Sequence, residues 1–466
     1  MGNAGRCLER DSEHTSRHQK TSGRTGSSLY QYDKEMKFLY SDTQDYVDPE
    51  YDFINDRNAP GRRRYWDDVY AHELMMPAPY DGLLVSMSAV RQAAGVAKSK
   101  VRYSTAEEQR MLRDGVRKFL RYGGPKFKSA MVLGDCGAFA YADSKTPAYP
   151  PQEVVDFYLD GGFSHGVSPD HIIFDCLTDN PPARHVAPGV IERFNITLSN
   201  AEEFLRLTSA EGYPFEPLGA VQGWSPKSMA DAAVQLEKMG YRYLAIGGLV
   251  PLKVDVIKQV LHALRSAIKP ETKIHLLGFA KADSIHQFTN FGITSFDSTS
   301  PLIRAFKDAK ANYYMESPEG GLDYYAAIRI PQAIENPRLM QGIKRGIFSA
   351  EDLQRREGKA LTALRNFDDG NGKMKDALEA VMDYQRFLTL GDGHPMEKYE
   401  KDLKKMRSLV ERTLEDAPWK RCNCSVCSKA GVEVIIFRSS NRNKRRGFHN
   451  LGVYHKHVQR TLEKKR

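Results

Sequence analysis

Short apolar runs alternate with an amphipathic segment in residues 218–249, which read Leu218-Gly-Ala-Val-Gln-Gly-Trp-Ser-Pro-Lys-Ser-Met-Ala-Asp-Ala-Ala-Val-Gln-Leu-Glu-Lys-Met-Gly-Tyr-Arg-Tyr-Leu-Ala-Ile-Gly-Gly-Leu249. The apolar runs at 218–221 and 243–246 have the length of buried strands. Between them, residues 226–239 place apolar side chains at helical spacing. A strand, a helix and a second strand in this order predict two parallel strands joined by a crossover helix.

The same alternation extends in both directions from this segment. Further strands are predicted at 36–40, 82–87, 131–134, 171–174, 273–277 and 293–296, and further helices at 151–159, 200–207 and 254–268. Strands that alternate with helices form a parallel sheet covered by those helices. Both an open doubly wound sheet and a closed barrel satisfy this pattern.

The residues that end the apolar runs favour the barrel. Five runs finish in a polar residue or a glycine, namely Asp135, Asp175, Gln222, Gly247-Gly248 and Asp297. In a (β/α)8 barrel the carboxyl ends of all strands converge on one face, where active sites lie. An open sheet would more often show a phosphate-binding glycine-rich turn after its first strand, and the sequence has none. We therefore predict an α/β protein built on a (β/α)8 TIM barrel.

Composition divides the chain into four predicted parts. Residues 1–35 are polar without apolar periodicity and are predicted to be a disordered extension. Residues 36–330 are predicted to form the catalytic barrel, 331–418 a helical insertion, and 419–466 a zinc-binding subdomain with a basic tail. The sequence has neither the apolar region of a signal peptide nor an apolar run of the length that crosses a membrane. A cytoplasmic protein is expected.

Positive charge is concentrated at the carboxyl terminus. From Arg438 to Arg466 there are ten Lys/Arg and one acidic residue, which accounts for the whole net charge of +9. Such a density suits a polyanion such as nucleic acid. The alternative is a solvated or disordered tail.

Three cysteines in six residues predict a metal site. Cys422, Cys424 and Cys427 lie in a turn-like segment, and tetrahedral zinc readily takes three thiolates from one turn with a distant fourth ligand. The candidates for that ligand are His449, His455 and His457. A zinc ion held by four protein ligands would be structural. The alternative is a cluster of inert or redox-active cysteines.

Two strand-end carboxylates are candidates for covalent and acid–base chemistry. Asp297 could attack an anomeric carbon, as carboxylates do in retaining glycosidases. Asp135, predicted on the same face, could then move protons. The alternative for each aspartate is a cap at a loop or at a helix N-terminus.

Neighbouring strand ends also offer groups that could read a purine base. Asp175 and Gln222 present an acceptor and an amide, which match the donor edge and O6 of guanine. The backbone of Gly247-Gly248-Leu249 could approach a ligand closely because glycine lacks a side chain. The alternatives are polar capping of strand ends and a tight turn between strand and helix.

Together these residues resemble the tRNA-guanine transglycosylase family over most of the chain from Met36. The motifs that carry the resemblance, in chain order, are Asp135-Cys136-Gly137-Ala138-Phe139-Ala140, Phe174-Asp175-Cys176-Leu177-Thr178, Gln222-Gly223, Gly247-Gly248-Leu249, Phe296-Asp297, and Cys422, Cys424 and Cys427 with the later His449. Six motifs in the right order form a specific pattern, although each motif alone is weak.

The resemblance implies a role for each of these residues. Asp297 would be the nucleophile and Asp135 the acid/base, while Asp175, Gln222 and Gly247-Gly248-Leu249 would bind the base. Structural Zn2+ would be held by Cys422, Cys424, Cys427 and His449.

Departures from the family pattern indicate a particular branch. Cys136, Ala138 and Ala140 stand where tRNA enzymes usually have Ser, Gly and Gln, and Ser300-Pro301-Leu302 replaces a bacterial Pro-Thr-Arg. With the opening Met36-Lys-Phe-Leu-Tyr-Ser-Asp42, these features are most similar to the DpdA-like branch. That branch implies DNA as the substrate and replacement of guanine by 7-cyano-7-deazaguanine (preQ0).

Three other interpretations stay open at this stage. The same base exchange could act on tRNA, the chain could be a non-catalytic nucleic-acid-binding subunit, or it could be an unrelated barrel lyase. Retention of Asp135 and Asp297 argues against the binding subunit, and the cysteine cluster argues against the lyase. The sequence leaves open partner proteins of a DNA-modification system and homo-oligomerisation, and no membrane association is expected.

Overall fold

The computed structural model describes residues 36–96, 98–390 and 396–464. The extension at 1–35, predicted to be disordered, lies outside the described residues. Among the described residues, no helix combines the length and apolar character needed to cross a membrane.

Eight parallel strands close into a barrel. In chain order they are β1 Lys37–Ser41, β2 Gly82–Ser86, β3 Met131–Asp135, β4 His165–Val167, β5 Glu216–Val221, β6 Tyr243–Ile246, β7 Lys273–Leu276 and β8 Ser295–Asp297. Each strand pairs with its neighbours in sequence, and β1 pairs with both β2 and β8, which closes the ring. The predicted (β/α)8 barrel is confirmed.

Helices cover the outside of the barrel. Those between Thr105 and Lys307 that have at least eight residues are Thr105–Asp114, Pro151–Gly161, Pro188–Ala210, Pro226–Met239, Val254–Ala267 and Ser300–Lys307. Shorter helices span Ala71–Leu74, Met87–Val90 and Val116–Phe119. The helix Pro226–Met239 shows how local sequence sets the bounds. The Ser225 side chain accepts a hydrogen bond from the Ser228 amide at its start, and Gly240 ends it in a left-handed conformation.

The prediction of the fourth strand at 171–174 is wrong, because β4 is His165–Val167. Residues 171–173 are nevertheless buried, since they pass beneath the helix Pro188–Ala210. His171 N donates to Thr197 Oγ1, and Arg193 donates to the Ile172 carbonyl. Their apolar character therefore reflects packing under a helix rather than membership of the sheet. The real strand was overlooked because His165-Gly-Val is short and is not uniformly apolar.

The interior of the barrel is filled mainly with apolar side chains. The buried interior cluster consists of Leu39, Leu84, Met131, Leu133, Val167, Leu218, Ala220, Tyr243 and Ala245. Because side chains alternate between the two faces of a strand, the residues between these positions pack outward against the helices. The polar residues that end the strands are thereby left at the carboxyl face.

The chain after the barrel helices is mainly helical. A hairpin pairs Tyr313–Glu316 with Leu322–Tyr325, and the helices are Pro337–Lys344, Ala350–Asp368, Met374–Leu390, Met396–Asp416, Pro418–Arg421, Ser425–Ala430 and Ser440–Glu463. A short ladder in the same region joins Ile328–Arg329 to Ile436–Phe437. Another short ladder, between the first two barrel strands, joins Tyr46–Val47 to Val69–Tyr70. Four of these helices lie within 331–418, where a helical insertion is predicted.

The expectation that the basic run from Arg438 binds a polyanion is wrong for three of its arginines. Arg442, Arg445 and Arg446 are buried in the final helix, at 0%, 1% and 0% exposure. Arg442 forms ion pairs with Asp56 and Glu433. These three side chains therefore cannot contact a polyanion in the folded protein.

The other two buried arginines of this helix donate mainly to backbone carbonyls. Arg446 donates to the carbonyls of Val434, Ile436 and Ala305, and Arg445 donates to those of Asp48 and Pro49. Burying a cation is costly unless its hydrogen bonds are made, so these contacts fix the final helix to distant parts of the chain.

Candidate active site and metal centre

A cavity of about 540 Å³ opens at the carboxyl ends of the barrel strands. All eight strands contribute to its wall, either directly or through the residues that follow them. Its polar side chains include Ser41, Asp135, Asp170, Gln222 and Asp297. A volume in this range is typical of small-molecule sites.

Asp297, at the end of β8, lies in the wall of this cavity and is 6% exposed. Its Oδ2 atom accepts a 2.6 Å hydrogen bond from Ser41 Oγ, and its Oδ1 atom accepts a 2.8 Å bond from the Gly278 amide. Both donors lie at the carboxyl ends of adjacent strands, β1 and β7. The carboxylate is therefore held in one orientation by the barrel itself.

A buried chain of polar groups approaches Asp297 from the barrel interior. His275 Nε2 lies 3.3 Å from Asp297 Oδ1, and His275 Nδ1 lies 2.6 Å from Ser295 Oγ. Ser295 Oγ is in turn 2.6 Å from the Tyr243 hydroxyl. Sequence reasoning missed His275, although a histidine within the apolar run 273–277 was a usable signal.

Asp135, at the end of β3, lies in the wall of the same cavity. Its Oδ2 atom accepts a 3.2 Å hydrogen bond from the Gly137 amide, whereas its buried Oδ1 atom has no hydrogen-bond partner among the described residues. Burial raises the pKa of Asp135 to about 7, against the lowering effect of the Ser86 hydroxyl. The charges of Asp297 and Asp170 contribute to this raised pKa.

The acceptor that faces the cavity beside Gln222 is Asp170, not Asp175. Gln222 Nε2 donates a 2.6 Å hydrogen bond to Asp170 Oδ2, and Gln222 Oε1 accepts one from the Ile173 amide. Burial raises the pKa of Asp170 to about 6, although the bond from Gln222 lowers it. Asp175 is exposed and lies outside the cavity wall. Asp170 was missed because it precedes the run 171–174, which was interpreted as the strand.

The glycine pair after β6 is required by close packing. A Cβ atom on Gly247 would lie 2.1 Å from Gln222 Nε2, and one on Gly248 would lie 2.6 Å from the Ile173 carbonyl. Gly248 also has a positive φ of 72°. Both glycines line the cavity, whereas Leu249 is buried in the core away from it.

The four residues predicted to bind a metal lie together. The Sγ atoms of Cys422, Cys424 and Cys427 are 3.5, 3.5 and 3.3 Å from His449 Nδ1, and all four ligand atoms lie within 4.8 Å of one another. His449 Nε2 is 2.7 Å from the Tyr314 carbonyl, a contact that favours a proton on Nε2 and leaves Nδ1 free to bind metal. This cluster could therefore hold a metal ion.

The other two histidine candidates are placed elsewhere. His455 Nε2 lies 3.0 Å from Asp81 Oδ1, and His457 is outside the cluster. None of the four cluster residues lines the cavity. A metal held here would stabilise the fold and would not touch a ligand in the cavity.

Comparison with known proteins bears directly on this geometry. No protein-family model matches the chain. The chain is 38% identical to a protein named DNA-guanine transglycosylase from Salmonella montevideo, over 432 residues that make up 92% of this chain and 98% of the relative. The chain belongs to the DNA-guanine transglycosylase family.

The transglycosylase family membership confirms the resemblance drawn from the motifs. The cavity brings together the strand-end residues Asp135, Gln222, Gly247-Gly248 and Asp297 from four of those motifs. The motif at Phe174-Asp175 lies at the rim instead. Cys136, one departure from the tRNA-enzyme pattern, is buried with its Sγ atom 4.0 Å from the Tyr158 hydroxyl and does not line the cavity.

The raised pKa of Asp135 predicts a pH-dependent effect on stability. The folded protein binds this proton more tightly than the unfolded chain, so the stabilisation is present in acid and is lost as pH rises toward and past about 7. The Asp135→Asn variant does not lose stability in this way because asparagine carries no titrating group. The unfolding free energy of Asp135→Asn relative to the parent protein should therefore increase between pH 5 and pH 8.

Chemical denaturation across that pH range measures this difference. Asp175→Asn, which removes one exposed carboxylate from the rim, is the control for a general change in charge. If the unfolding free energies of Asp135→Asn and the parent protein differ by the same amount at every pH, the pKa of Asp135 is not raised in the folded protein.

Proposed function

We propose that this protein exchanges guanine in DNA for 7-cyano-7-deazaguanine through a covalent intermediate on Asp297. The observation that carries the proposal is the pair of carboxylates in one cavity with different environments. Asp297 is fixed by three donors, while the Asp135 Oδ1 atom has no hydrogen-bond partner in the described part of the chain and the pKa of Asp135 is about 7. The name of the relative from Salmonella montevideo supports guanine in DNA as the substrate.

In the first step a carboxylate oxygen of Asp297 attacks C1′ of the deoxyguanosine. A bond forms between that oxygen and C1′ while the bond from C1′ to N9 breaks, and its electron pair stays on guanine. Protonated Asp135 supplies the proton that neutralises the leaving base. A pKa of about 7 suits this role because both protonation states are populated near neutral pH.

In the second step the incoming deazaguanine takes the place of guanine. Ionised Asp135 removes the proton from its N9, this nitrogen attacks C1′, and the ester bond to Asp297 breaks. The donors Ser41 Oγ and Gly278 N then stabilise the carboxylate as it regains its charge. The ester conserves the energy of the glycosidic bond, so the exchange needs no ATP.

Base recognition is assigned to Asp170, Gln222 and the backbone of Gly247-Gly248. Asp170 and Gln222 form one hydrogen-bonded unit in the cavity wall, and Gly247, which lacks a side chain, makes room for the Gln222 amide. A carboxylate accepts from the N1–H and 2-amino donors that distinguish guanine from adenine. The 7-cyano substituent of the incoming base is proposed from the resemblance to the DpdA-like branch.

DNA requires a route for its base into the cavity. A guanine stacked in a duplex cannot reach Asp297, so it must leave the stack. Lys100, Arg102 and Arg304 line the mouth of the cavity. These cations could bind the phosphates that flank the extruded nucleotide.

The metal in the Cys/His cluster is proposed to be structural zinc. Zn–S bonds of about 2.3 Å and a Zn–N bond of about 2.0 Å in tetrahedral geometry separate sulfur from nitrogen by about 3.5 Å. The distances from His449 Nδ1 to the three sulfurs, 3.3–3.5 Å, fit this arrangement. Zinc would join the segment 422–427 to the final helix, which carries the buried arginines.

The nucleophile is tested with Asp297→Asn, which keeps the side-chain shape and removes the anionic oxygen. Exchange of labelled base should fall by on the order of 10⁴ or more, as for other nucleophile replacements. DNA binding should persist. Denaturing electrophoresis of enzyme mixed with DNA should show a covalent adduct for the parent protein and none for Asp297→Asn.

The control for this experiment is Asp135→Asn, which spares the nucleophile. It should form the adduct slowly, because only proton transfer to the leaving base is lost. An adduct at parental yield in Asp297→Asn would mean that another residue attacks C1′.

Base recognition is tested by comparing Asp170→Asn with Asp175→Asn. Both substitutions remove one carboxylate from the segment after β4, but only Asp170 faces the cavity. Asp170→Asn should lower kcat/KM for guanine exchange about tenfold to 100-fold, the loss expected for hydrogen bonds to a charged group. Asp175→Asn should stay within about twofold of the parent protein, the usual tolerance of a surface change. The opposite pattern would assign base reading to the Phe174-Asp175 motif.

Zinc is tested by metal analysis of purified protein, which should contain about one zinc ion per chain, as in four-ligand structural sites. Cys424→Ser should lower both the zinc content and the melting temperature because metal binding and local folding are coupled. Cys176→Ser, which changes a thiol outside the cluster, should alter neither. Folded, active protein without zinc would contradict the assignment.

A further inference from the structure

Apolar side chains are exposed around the mouth of the cavity. Phe139, Val250 and Ile303 line the cavity and are 51%, 39% and 39% exposed. Phe174, 42% exposed, lies outside the cavity wall with its ring centroid 5.6 Å from that of Phe139. Exposed apolar groups that gather at one site indicate an interaction surface.

Phe174 is held in place although its ring is exposed. The preceding residue, Ile173, donates its amide to Gln222 Oε1. The Leu177 amide donates a 2.6 Å hydrogen bond to the Trp224 carbonyl, and this bond joins backbone atoms only. Both acceptors belong to the loop after β5, which also forms part of the cavity wall. The ring of Phe174 is therefore presented at a fixed position beside the opening.

Positive charge lies around the same opening. Lys100 and Arg102 are exposed, and Arg304 is half-buried on the helix Ser300–Lys307. An aromatic ring combined with cations suits a nucleic-acid strand, because bases stack on the ring while phosphates contact the cations. A protein partner would not need this cationic rim.

We propose that Phe174 enters the DNA base stack at the position that the extruded guanine leaves. This proposal rests on the proposed function, and it deepens that function by naming paired, duplex DNA as the substrate form for which Phe174 is needed. Removing a base from a duplex leaves its neighbours unstacked. Apolar side chains of DNA-bending proteins insert between base steps, and an exposed ring can occupy the gap left by a base in a similar way. Phe139, whose ring is next to that of Phe174, lines the cavity wall and is not proposed to enter the base stack.

The test compares Phe174→Ala with the parent protein on two DNAs that share one target guanine. In the first DNA the guanine is paired in a duplex, and in the second the strand is single. Phe174→Ala should lower kcat/KM on the duplex about tenfold or more, the scale of one lost base–aromatic stack. On the single strand it should stay within about twofold, because no gap has to be filled.

Two further variants make the result specific. Phe174→Trp should restore activity on the duplex because it keeps a stacking ring. Tyr213→Ala removes an exposed aromatic residue that precedes β5, at the other end of the barrel, and should have no effect on either DNA. An equal loss on both DNAs, or no loss on the duplex, would overturn the proposal.

A binding experiment separates this proposal from the proposed function. In Asp297→Asn protein, 2-aminopurine at the target position of a duplex should become more fluorescent when it leaves the stack. Adding Phe174→Ala should reduce this rise in fluorescence about fivefold or more, in line with the loss of one base–aromatic stack. An unchanged rise would overturn the role of Phe174. A parent protein that exchanges no base in DNA, with the fluorescence still dependent on Phe174, would overturn the proposed exchange alone.

Discussion

Closure of the barrel by β1 and β8 is the constraint on which the site depends. Pairing places Leu39 opposite Asp297 and carries Ser41, two residues further on, to 2.6 Å from the Asp297 carboxylate. The first and last strands are separated by about 250 residues of chain, so this contact exists only when all eight strands have paired. The Asp297 carboxylate, the proposed nucleophile, is thus oriented by the completed fold rather than by a local turn.

The same closure gives two nearby aspartates different surroundings. Asp297 is surrounded by donors from β1 and β7, including His275 at the end of a buried polar chain through Ser295. Asp135 is half-buried, and its Oδ1 atom has no hydrogen-bond partner among the described residues; desolvation and the neighbouring charge of Asp297 favour its protonated form. Pairs of titratable groups whose environments differ in this way commonly divide nucleophilic and acid–base work.

The sequence predicted the features that depend on strand ends and on short-range spacing. Asp135, Gln222 and Asp297 meet because parallel strands in a barrel share one carboxyl face. The three cysteines meet because their spacing is local. Asp170 could not be found in this way, since the apolar residues after it are buried by a helix and imitate a strand. Composition likewise could not show that Arg442 pairs with Asp56, nearly 400 positions earlier.

The placement of positive charge changes how DNA binding has to be explained. Arg442, Arg445 and Arg446 of the basic run are buried inside the fold, where they contact carboxylates and backbone carbonyls. The cavity is lined by three other cationic residues, Lys100, Arg102 and Arg304, which lie outside the basic run. Exposed aromatic rings lie near the same opening. A few phosphate contacts position a strand but do not open a duplex. The free energy for extruding a base must then come from groups that replace its stacking and its hydrogen bonds. We propose that Phe174 at the rim replaces the stacking, and that Asp170 and Gln222 in the cavity wall replace the hydrogen bonds.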